Sequence, residues 1–351
     1  MDTAHAGLRH HGDVEAGPGL LDFAVNVARQ RPPGWLRDRL IAALGDIAGY
    51  PRAEHDERAR AAVAARHRRA VDDVVLLNGA AEGFALLPNL RPRLAALVHP
   101  SFTEPEAALR AAEVPVARVL LDESDGFLLS PERVPEAADL VVLGNPTNPT
   151  SVLHPATMLR RLARPGRVLV VDEAFADTVP GEPESLAGHG DIPGLLVLRS
   201  LTKTWGLAGL RAGYALGAPD LLAALTAQRA QWPVGTLAVE AVLACSEPAA
   251  VAEAEAQARD GVAHRAELLA RLRELPGLRV YEPAAASFVL VRIPDANRVR
   301  AELRAAGIAV RRADTFPGLG PDFLRISVRA PAEAAPLVTA LRTVMRSLEV
   351  L

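Results

Sequence analysis

Short apolar runs alternate with helical stretches from about residue 36 to residue 230. Several runs are continuously apolar, which is expected for strands of a sheet covered by helices on both faces. The runs are VVLLNG (74–79), LAALVHP (94–100), LVVLGNP (140–146), RVLVVDEAF (167–175), LLVLRSL (195–201) and RAGYALG (211–217). Helical periodicity marks residues 54–69 and 155–163 between them. The pattern predicts a large α/β domain with a mainly parallel sheet over residues 36–230.

The remainder of the chain has a different pattern and predicts a smaller α+β domain. A long Ala-rich helix is expected over 249–275, followed by strands at SFVLVRI (287–293) and FLRISVR (323–329) that each lead into a helix. We assign residues 231–351 to this domain, together with an N-terminal arm over residues 1–35. A chain of 351 residues is long enough for two domains of this kind.

Composition narrows the class of protein without changing the predicted fold. The chain is 50% hydrophobic with a net charge of −3, which gives no long-range attraction for nucleic acid or for an anionic membrane. No apolar run reaches the roughly 18 residues that a membrane span needs, and the polar N-terminus lacks an apolar signal core. The single Cys245 fits a reducing compartment. We therefore expect a cytoplasmic protein without a nucleic-acid or membrane partner.

Polar residues cluster directly after three predicted strands, at 145–150, 172–175 and 200–203. Ligands of open α/β sheets bind in the crevice outside the carboxyl ends of the strands, so these segments are expected to share one site. Lys203 is the only lysine, and arginine supplies the rest of the 39 Lys and Arg residues. Attack on an aldehyde needs a primary amine that can lose its proton, which arginine cannot provide. Lys203 is therefore the candidate nucleophile, with a chance leftover cation as the alternative.

Six segments, in this order, resemble the fold-type I pyridoxal-phosphate (PLP) enzymes of the class I/II aminotransferase superfamily. The resemblance covers nearly the whole chain. It implies a three-layer, PLP-transferase-like large domain, PLP as the cofactor and no metal. The segments are NGAAE (78–82), HPSF (99–102), NPTNPT (145–150), VDEAF (171–175), SLTKTWGLAGLRAGY (200–214) and LRISVR (324–329).

The resemblance also implies roles for individual residues. Lys203 would bond to the cofactor aldehyde and move protons at the substrate α-carbon, and Asp172 would keep the pyridine nitrogen protonated. The other expected cofactor contacts are Gly79, Ala80, Ala81, Glu82, Ser200 and Arg211 at the phosphate, Phe102 against the ring, and Asn148 at the phenolic oxygen. Tyr50 would reach the phosphate of a neighbouring subunit, which implies a homodimer with a shared active site.

Phe175 departs from the pattern, because many relatives carry a tyrosine there whose hydroxyl contacts the phenolic oxygen. Phenylalanine cannot donate a hydrogen bond, so Asn148 would make that contact alone.

Substrate binding is expected near the C-terminal strand. By resemblance, Arg325 would hold a substrate carboxylate. Arg329 lies four residues further on and would share its strand face, since side chains alternate with a period of two. Two cations on one face suit a doubly anionic substrate such as a phosphorylated amino acid. The alternative is that Arg329 faces solvent.

The opening segments RHHGD (9–13) and LDFAVNV (21–27) resemble those of threonine-phosphate decarboxylases of cobalamin biosynthesis. In that pattern Asn26 faces the substrate, and His11 stands where a glycine is usual. The first expectation is therefore a PLP-dependent lyase of this type. The alternative is an aminotransferase of the histidinol-phosphate type, and a distant one is a PLP-binding module without catalysis.

Overall fold

The structure is a computed structural model that describes residues 7–348, and it contains two β-sheets surrounded by helices. The first six residues of the predicted arm and the last three residues of the chain lie outside the described residues. The strands are β1 (Leu21–Phe23), β2 (Val74–Leu77), β3 (Ala95–His99), β4 (Val116–Leu120), β5 (Leu140–Gly144), β6 (Val168–Asp172), β7 (Leu195–Ser200), β8 (Gly213–Gly217), β9 (Arg279–Val280), β10 (Phe288–Arg292), β11 (Ile308–Arg312) and β12 (Phe323–Ser327).

The α-helices lie where the sequence predicts helical periodicity, and several more connect the strands. They are α1 (Gly34–Ala43), α2 (Ala53–His67), α3 (Ala80–Leu86), α4 (Glu104–Ala111), α5 (Ala156–Arg160), α6 (Pro219–Thr226), α7 (Thr236–Ser246), α8 (Pro248–Arg273), α9 (Ala296–Ala305) and α10 (Pro331–Ser347). Within residues 7–348, no helix combines the length and the apolar character needed to cross a membrane.

The larger sheet has seven strands in the order β2-β8-β7-β6-β5-β3-β4. Pairing is parallel from β7 through β4, and β8 is antiparallel to both of its neighbours. Side chains of β6 alternate between two apolar layers, because Val171 packs into one cluster and Val170 into the other. This confirms the predicted mainly parallel sheet with helices on both faces.

The register of the larger sheet brings the three predicted polar segments together. Strands β5, β6 and β7 are adjacent and parallel, with Gly144 opposite Asp172 and Asp172 opposite Leu198. The carboxyl ends of these strands therefore lie at the same edge of the sheet, where a ligand crevice is expected.

The smaller sheet has the order β1-β11-β12-β10-β9 and is antiparallel except for the β1–β11 pair. It confirms the predicted α+β domain and adds three strands, β1, β9 and β11, to those expected from the sequence. Strand β1 comes from the N-terminal segment and pairs with β11 through Phe23 and Val310. The N-terminal and C-terminal parts of the chain thus share one sheet.

Helix α7 packs with the larger sheet rather than the smaller one. Its buried residues, including Val239 and Val242, belong to the same apolar cluster as Val63 of α2 and Leu36 of α1. The domain limits predicted near residues 35 and 230 stay a prediction, but the core of the large domain includes α7.

A buried charge network lies behind the ends of β6 and β7. Arg199 Nη1 donates to Glu173 Oε2 at 3.0 Å and to Glu182 Oε2 at 2.6 Å, and its Nη2 donates to Asp177. Arg66 joins from α2, with Nη2 2.9 Å from Glu182 Oε1. Burial alone would lower the pKa of Arg199, but the neighbouring carboxylates raise it well above its usual value. The network ties together the residues that follow Asp172 and precede Ser200.

Removing the central cation should destabilise the fold strongly. Arg199→Met leaves the buried Glu173 without its cation and leaves Asp177 and Glu182 with Arg66 alone, so we expect about 3–5 kcal/mol less unfolding free energy in urea titrations. The matched control is Arg259→Met, because Arg259 pairs with Glu255 on the exposed face of α8, and there a loss of a few tenths of a kcal/mol at most is expected. Equal stability of the two variants would contradict a structural role for the network.

Candidate active site

A cavity of about 510 Å³ lies between the carboxyl edge of the larger sheet and the smaller sheet. It contains most of the residues that the sequence predicts for the site. Those that line it are Asn26, Ala80, Ala81, Phe102, Asn148, Asp172, Phe175, Ser200, Lys203, Arg211 and Arg325. Gly79, Glu82, Tyr50 and Arg329 do not line it.

Asp172 and Lys203 provide opposite charges within this cavity. Asp172 is the last residue of β6, and its Oδ1 accepts a hydrogen bond of 3.0 Å from the Ala174 N–H. Burial raises the pKa of Asp172 to about 6, although Ala174 and Lys203 both oppose the rise. Lys203 lies in the loop after β7, where its carbonyl accepts a 2.8 Å hydrogen bond from Ala28 N–H.

The protonation equilibrium of Lys203 is also shifted towards the neutral amine. Burial, followed by the positive charges of Arg325 and Arg211, lowers the pKa of Lys203 to about 8. Arg325 lies on β12 of the smaller sheet and Arg211 lies just before β8 of the larger one, so both parts of the molecule act on this amine. A lysine with a lowered pKa and access to a cavity can attack an aldehyde.

The turn between β2 and α3 forms a cradle under Arg211. Gly79 has φ +76°, and a Cβ on it would lie 2.9 Å from Arg211 Nη2, so glycine is needed for this close approach. Arg211 itself has φ +61°, in the left-handed region that few residues other than glycine adopt. The first N–H groups of α3 lack intrahelical acceptors, and Ser200 lies in the same wall. This arrangement can hold a phosphate group.

Glu82 takes no part in the cradle through its side chain. Its Oε2 accepts a hydrogen bond of 2.6 Å from Asn78 N–H, and its carboxylate pairs with Arg229. The Glu82 N–H bonds to the Gly79 carbonyl at 3.1 Å. Of the residues in this turn, Ala80 and Ala81 line the cavity and Glu82 does not, so the expected contact of Glu82 with the cofactor stays a prediction that these contacts do not support.

The aromatic rings of Phe102 and Phe175 and the amide of Asn148 are among the groups that line the cavity with Lys203. Phe102 packs 5.8 Å from Phe84, measured between ring centroids. Phe175 is buried and meets Phe288 edge-on at 4.8 Å, so no hydroxyl stands at that position. Asn148 Oδ1 accepts a 2.7 Å hydrogen bond from Arg325 Nη1, and its amide nitrogen remains as a donor.

Arg325 and Arg311 form a pair of cations in the small-domain wall of the cavity. They are opposite each other on β12 and β11, and they are only 4% and 2% exposed. Burial lowers the pKa of Arg325 to about 9 and that of Arg311 to about 10. Among the described residues, Arg325 Nε and Arg311 Nη1 have no hydrogen-bond partner. Sequence reasoning missed Arg311, because one arginine in the apolar run GIAVRR matches no motif.

Arg329 does not line this cavity, and its expected role beside Arg325 stays a prediction. Its guanidinium donates to the carbonyls of Val27, at 2.8 Å, and of Val25 and Asp22. It lines a separate cavity of about 220 Å³.

Asn26 and Tyr50 have contrasting surroundings. Asn26 is buried in the cavity wall, where its Oδ1 accepts a 2.6 Å hydrogen bond from Ser327 Oγ. Its Nδ2 has no partner among residues 7–348 and is free to bind a ligand. Tyr50 is 72% exposed and stacks on Trp232 at 4.1 Å, away from the cavity.

Comparison with known proteins places the chain in a family. The family model for aminotransferase class I and II matches residues 18–342. The chain belongs to the class I and II aminotransferase family. As a class I/II aminotransferase family member it is a PLP-dependent enzyme. The cradle under Arg211, the buried Asp172 and the Lys203 amine fit PLP, whose phosphate, ring nitrogen and aldehyde need these three kinds of group.

Similar proteins include both activities expected from the sequence. A histidinol-phosphate aminotransferase of Mycobacterium bovis is 57% identical over 330 residues, which is 94% of this chain and 89% of that protein. A threonine-phosphate decarboxylase of Salmonella typhimurium is 30% identical over 360 residues, which is 98% of this chain and 97% of that protein. Among solved structures, the chain is similar to the crystal structure of the histidinol-phosphate aminotransferase from Clostridium acetobutylicum, with a TM-score of 0.85 at 23% identity. The match covers 93% of this chain and 100% of that chain. That likeness shows the class I/II aminotransferase fold.

The lowered pKa of Lys203 can be measured directly, because it is the only lysine. In the cofactor-free enzyme, trace acetylation of the Lys203 peptide should rise with pH and reach half its maximum near pH 8, since only the neutral amine reacts. Arg325→Gln should move this midpoint upward by removing a nearby positive charge. Arg229→Gln is the matched control, because Arg229 pairs with Glu82 outside the cavity. A wild-type midpoint near the ordinary lysine value of 10.5 would contradict the prediction.

Proposed function

We propose that the protein is an aminotransferase for a phosphorylated amino substrate, with histidinol phosphate as the first candidate. The observation that carries the proposal is the pair of buried cations, Arg311 and Arg325, in the same cavity as Lys203. Two cations beside the reactive amine suit a substrate that carries a strongly anionic group. The 57% identical relative, a histidinol-phosphate aminotransferase, supports the same choice.

Transamination requires one cavity to accept two different molecules in turn, an amino donor and a keto acid. Histidinol phosphate carries a phosphate, and 2-oxoglutarate carries two carboxylates. Arg325 and Arg311 could each bind one carboxylate of a dicarboxylate, or they could bind a single phosphate group together. Asn26 Nδ2 adds a neutral donor.

The first expectation from the sequence, a threonine-phosphate decarboxylase, is less well supported than the alternative. It rested in part on Arg325 and Arg329 acting together, and Arg329 binds backbone carbonyls elsewhere. The decarboxylase relative is also less similar, at 30% identity. Decarboxylation of threonine phosphate stays the second candidate, because that relative matches over 97% of its own length.

The proposed roles follow from the chemistry of each side chain. PLP supplies an electron-accepting ring and an aldehyde. Lys203 Nζ would hold the aldehyde and then move a proton at the substrate α-carbon, while Asp172 would hold the ring nitrogen protonated. Arg211, Ser200 and the turn at Gly79 would bind the phosphate. Phe102 would pack against the ring, and Asn148 Nδ2 would donate to the phenolic oxygen.

The decisive experiment separates the two reactions with the PLP-loaded enzyme. Histidinol phosphate plus 2-oxoglutarate should yield glutamate, and threonine phosphate alone should release little carbon dioxide. Arg311→Gln should raise KM for histidinol phosphate about tenfold or more, since a charged hydrogen bond to an anion is lost. Arg312→Gln is the matched control, because Arg312 pairs with Asp314 and does not line the cavity.

Two outcomes would count against this function. Release of carbon dioxide from threonine phosphate without glutamate formation would favour the second candidate. If Arg311→Gln and Arg312→Gln changed KM for histidinol phosphate equally, the pair of Arg311 and Arg325 would no longer support this function.

We also infer a homodimer with shared active sites. Tyr50 and Trp232 stack on the surface, and Ile41, Leu44 and Ile47 are exposed nearby along the chain. Exposed apolar side chains on one segment are typical of an interaction surface. A second copy of the chain placed here would bring its Tyr50 towards a neighbouring cofactor site. A cytoplasmic location, expected from the single Cys245, also stays a prediction.

The shared site can be tested by mixing two inactive variants. Tyr50→Ala should bind PLP more weakly, and Lys203→Ala should lack activity, but mixed dimers should regain activity because one site then contains both wild-type residues. Sedimentation of the wild-type protein supplies the oligomeric state. A monomeric protein, or mixtures no more active than the parent variants, would argue against the shared site.

A further inference from the structure

The N-terminal segment over residues 8–15 connects the two domains across the active-site cavity. On the large-domain side, Thr103 Oγ1 donates to the Leu8 carbonyl. On the small-domain side, Arg311 Nη2 donates to the His10 carbonyl at 2.6 Å, and Arg300 Nη1 binds Glu15 Oε2 at 2.6 Å. We call residues 8–15 the arm segment.

Gly12 brings the arm segment directly against the substrate arginine. A Cβ on Gly12 would lie 2.6 Å from the Ala24 carbonyl oxygen and 3.5 Å from Arg325 Nη2. The neighbouring His11 and Asp13 both line the cavity. The arm segment is therefore part of the wall that a bound substrate would meet.

His11 pairs with a carboxylate of the opposite domain. Its Nε2 lies 2.5 Å from Oε1 of Glu104, the first residue of α4. Its ring lies 5.2 Å from that of Phe102, between centroids, and all three side chains line the cavity. We call His11 and Glu104 the mouth pair, because each is about one-third exposed.

Glu104 is a charged carboxylate close to where an anionic substrate has to bind. The hydrogen bond from His11 lowers the pKa of Glu104, and Arg9 acts in the same direction. The other charged side chains of this wall are Asp13 and Arg311. Without a counter-charge, the Glu104 carboxylate would weaken the binding of an anion at Arg311, because like charges within one partly desolvated cavity repel each other.

We propose that His11 determines specificity for anionic substrates by neutralising Glu104 at the cavity mouth. When the imidazole carries a proton, it cancels the charge of the carboxylate 2.5 Å away, so that the field of Arg311 and Arg325 dominates and a phosphate group is accepted. The inference deepens the proposed function and rests on it for the identity of the substrate.

His10 shows why the location of the pair matters. Its Nε2 lies 3.1 Å from Glu15 Oε1, so it also forms a histidine–carboxylate pair on the arm segment. The His10 side chain does not line the cavity, and Glu15 is bound by Arg300 as well. His10→Gln is therefore a matched control for His11→Gln.

The test measures binding of inorganic phosphate to the PLP-loaded enzyme by calorimetry, which does not depend on turnover. Glutamine at position 11 can keep a hydrogen bond to Glu104 but cannot carry the positive charge of a protonated imidazole, so we expect phosphate to bind His11→Gln about tenfold more weakly. Glu104→Gln in the His11→Gln protein should restore binding close to the wild-type value, because it removes the repelling carboxylate. His10→Gln should bind phosphate as the wild type does.

Turnover then separates this inference from the proposed function. In wild type, histidinol phosphate should be preferred to histidinol, and His11→Gln should reduce that preference through KM with little change in kcat. Absence of phosphate binding by wild type, unchanged binding in His11→Gln, or failure of Glu104→Gln to restore it would each overturn the role of His11. Phosphate binding that follows the expected pattern without turnover of histidinol phosphate would support His11 and reject the proposed substrate.

Discussion

The position of the active site depends on holding the ends of β6 and β7 side by side. The buried Arg199 connects Glu173, Asp177 and Glu182 behind these ends, on the side away from the cavity. Burying so many charges is costly unless each is paired, so the network tolerates few other arrangements of this edge. The residues that project into the cavity from the ends of β6 and β7 are therefore held in fixed positions.

The chemistry of Lys203 depends on both domains together. Its carbonyl is bound by Ala28 of the N-terminal segment, and its pKa is lowered by Arg325 of the smaller sheet as well as by burial. Arg325 in turn donates to Asn148 of the larger domain. A change in the relative position of the two sheets would therefore alter the basicity of the amine and the orientation of Asn148 at the same time.

Much of the site could be predicted, because its residues follow strands that are continuous in the sequence. Asp172, Ser200 and Lys203 lie at the carboxyl ends of β6 and β7, and a parallel sheet brings such ends together whatever the loops contain. Six of the seven strands of the larger sheet and half of the α-helices described for residues 7–348 were predicted for the same local reason. Strands β1, β4, β9 and β11 were not predicted, because they are short and gain their stability from partner strands elsewhere in the chain.

The sequence by itself determined the family and the cofactor, because six motifs around the single lysine resemble, in order, those of the class I/II aminotransferases. Only the tertiary structure decided which arginines line the cavity. Arg311 enters the cavity because β11 pairs with β12, whereas Arg329 follows the end of β12 and binds carbonyls instead. Glu82 turns away because Arg229 is near it in space. Such choices depend on cross-strand register and on distant partners, which no local pattern contains.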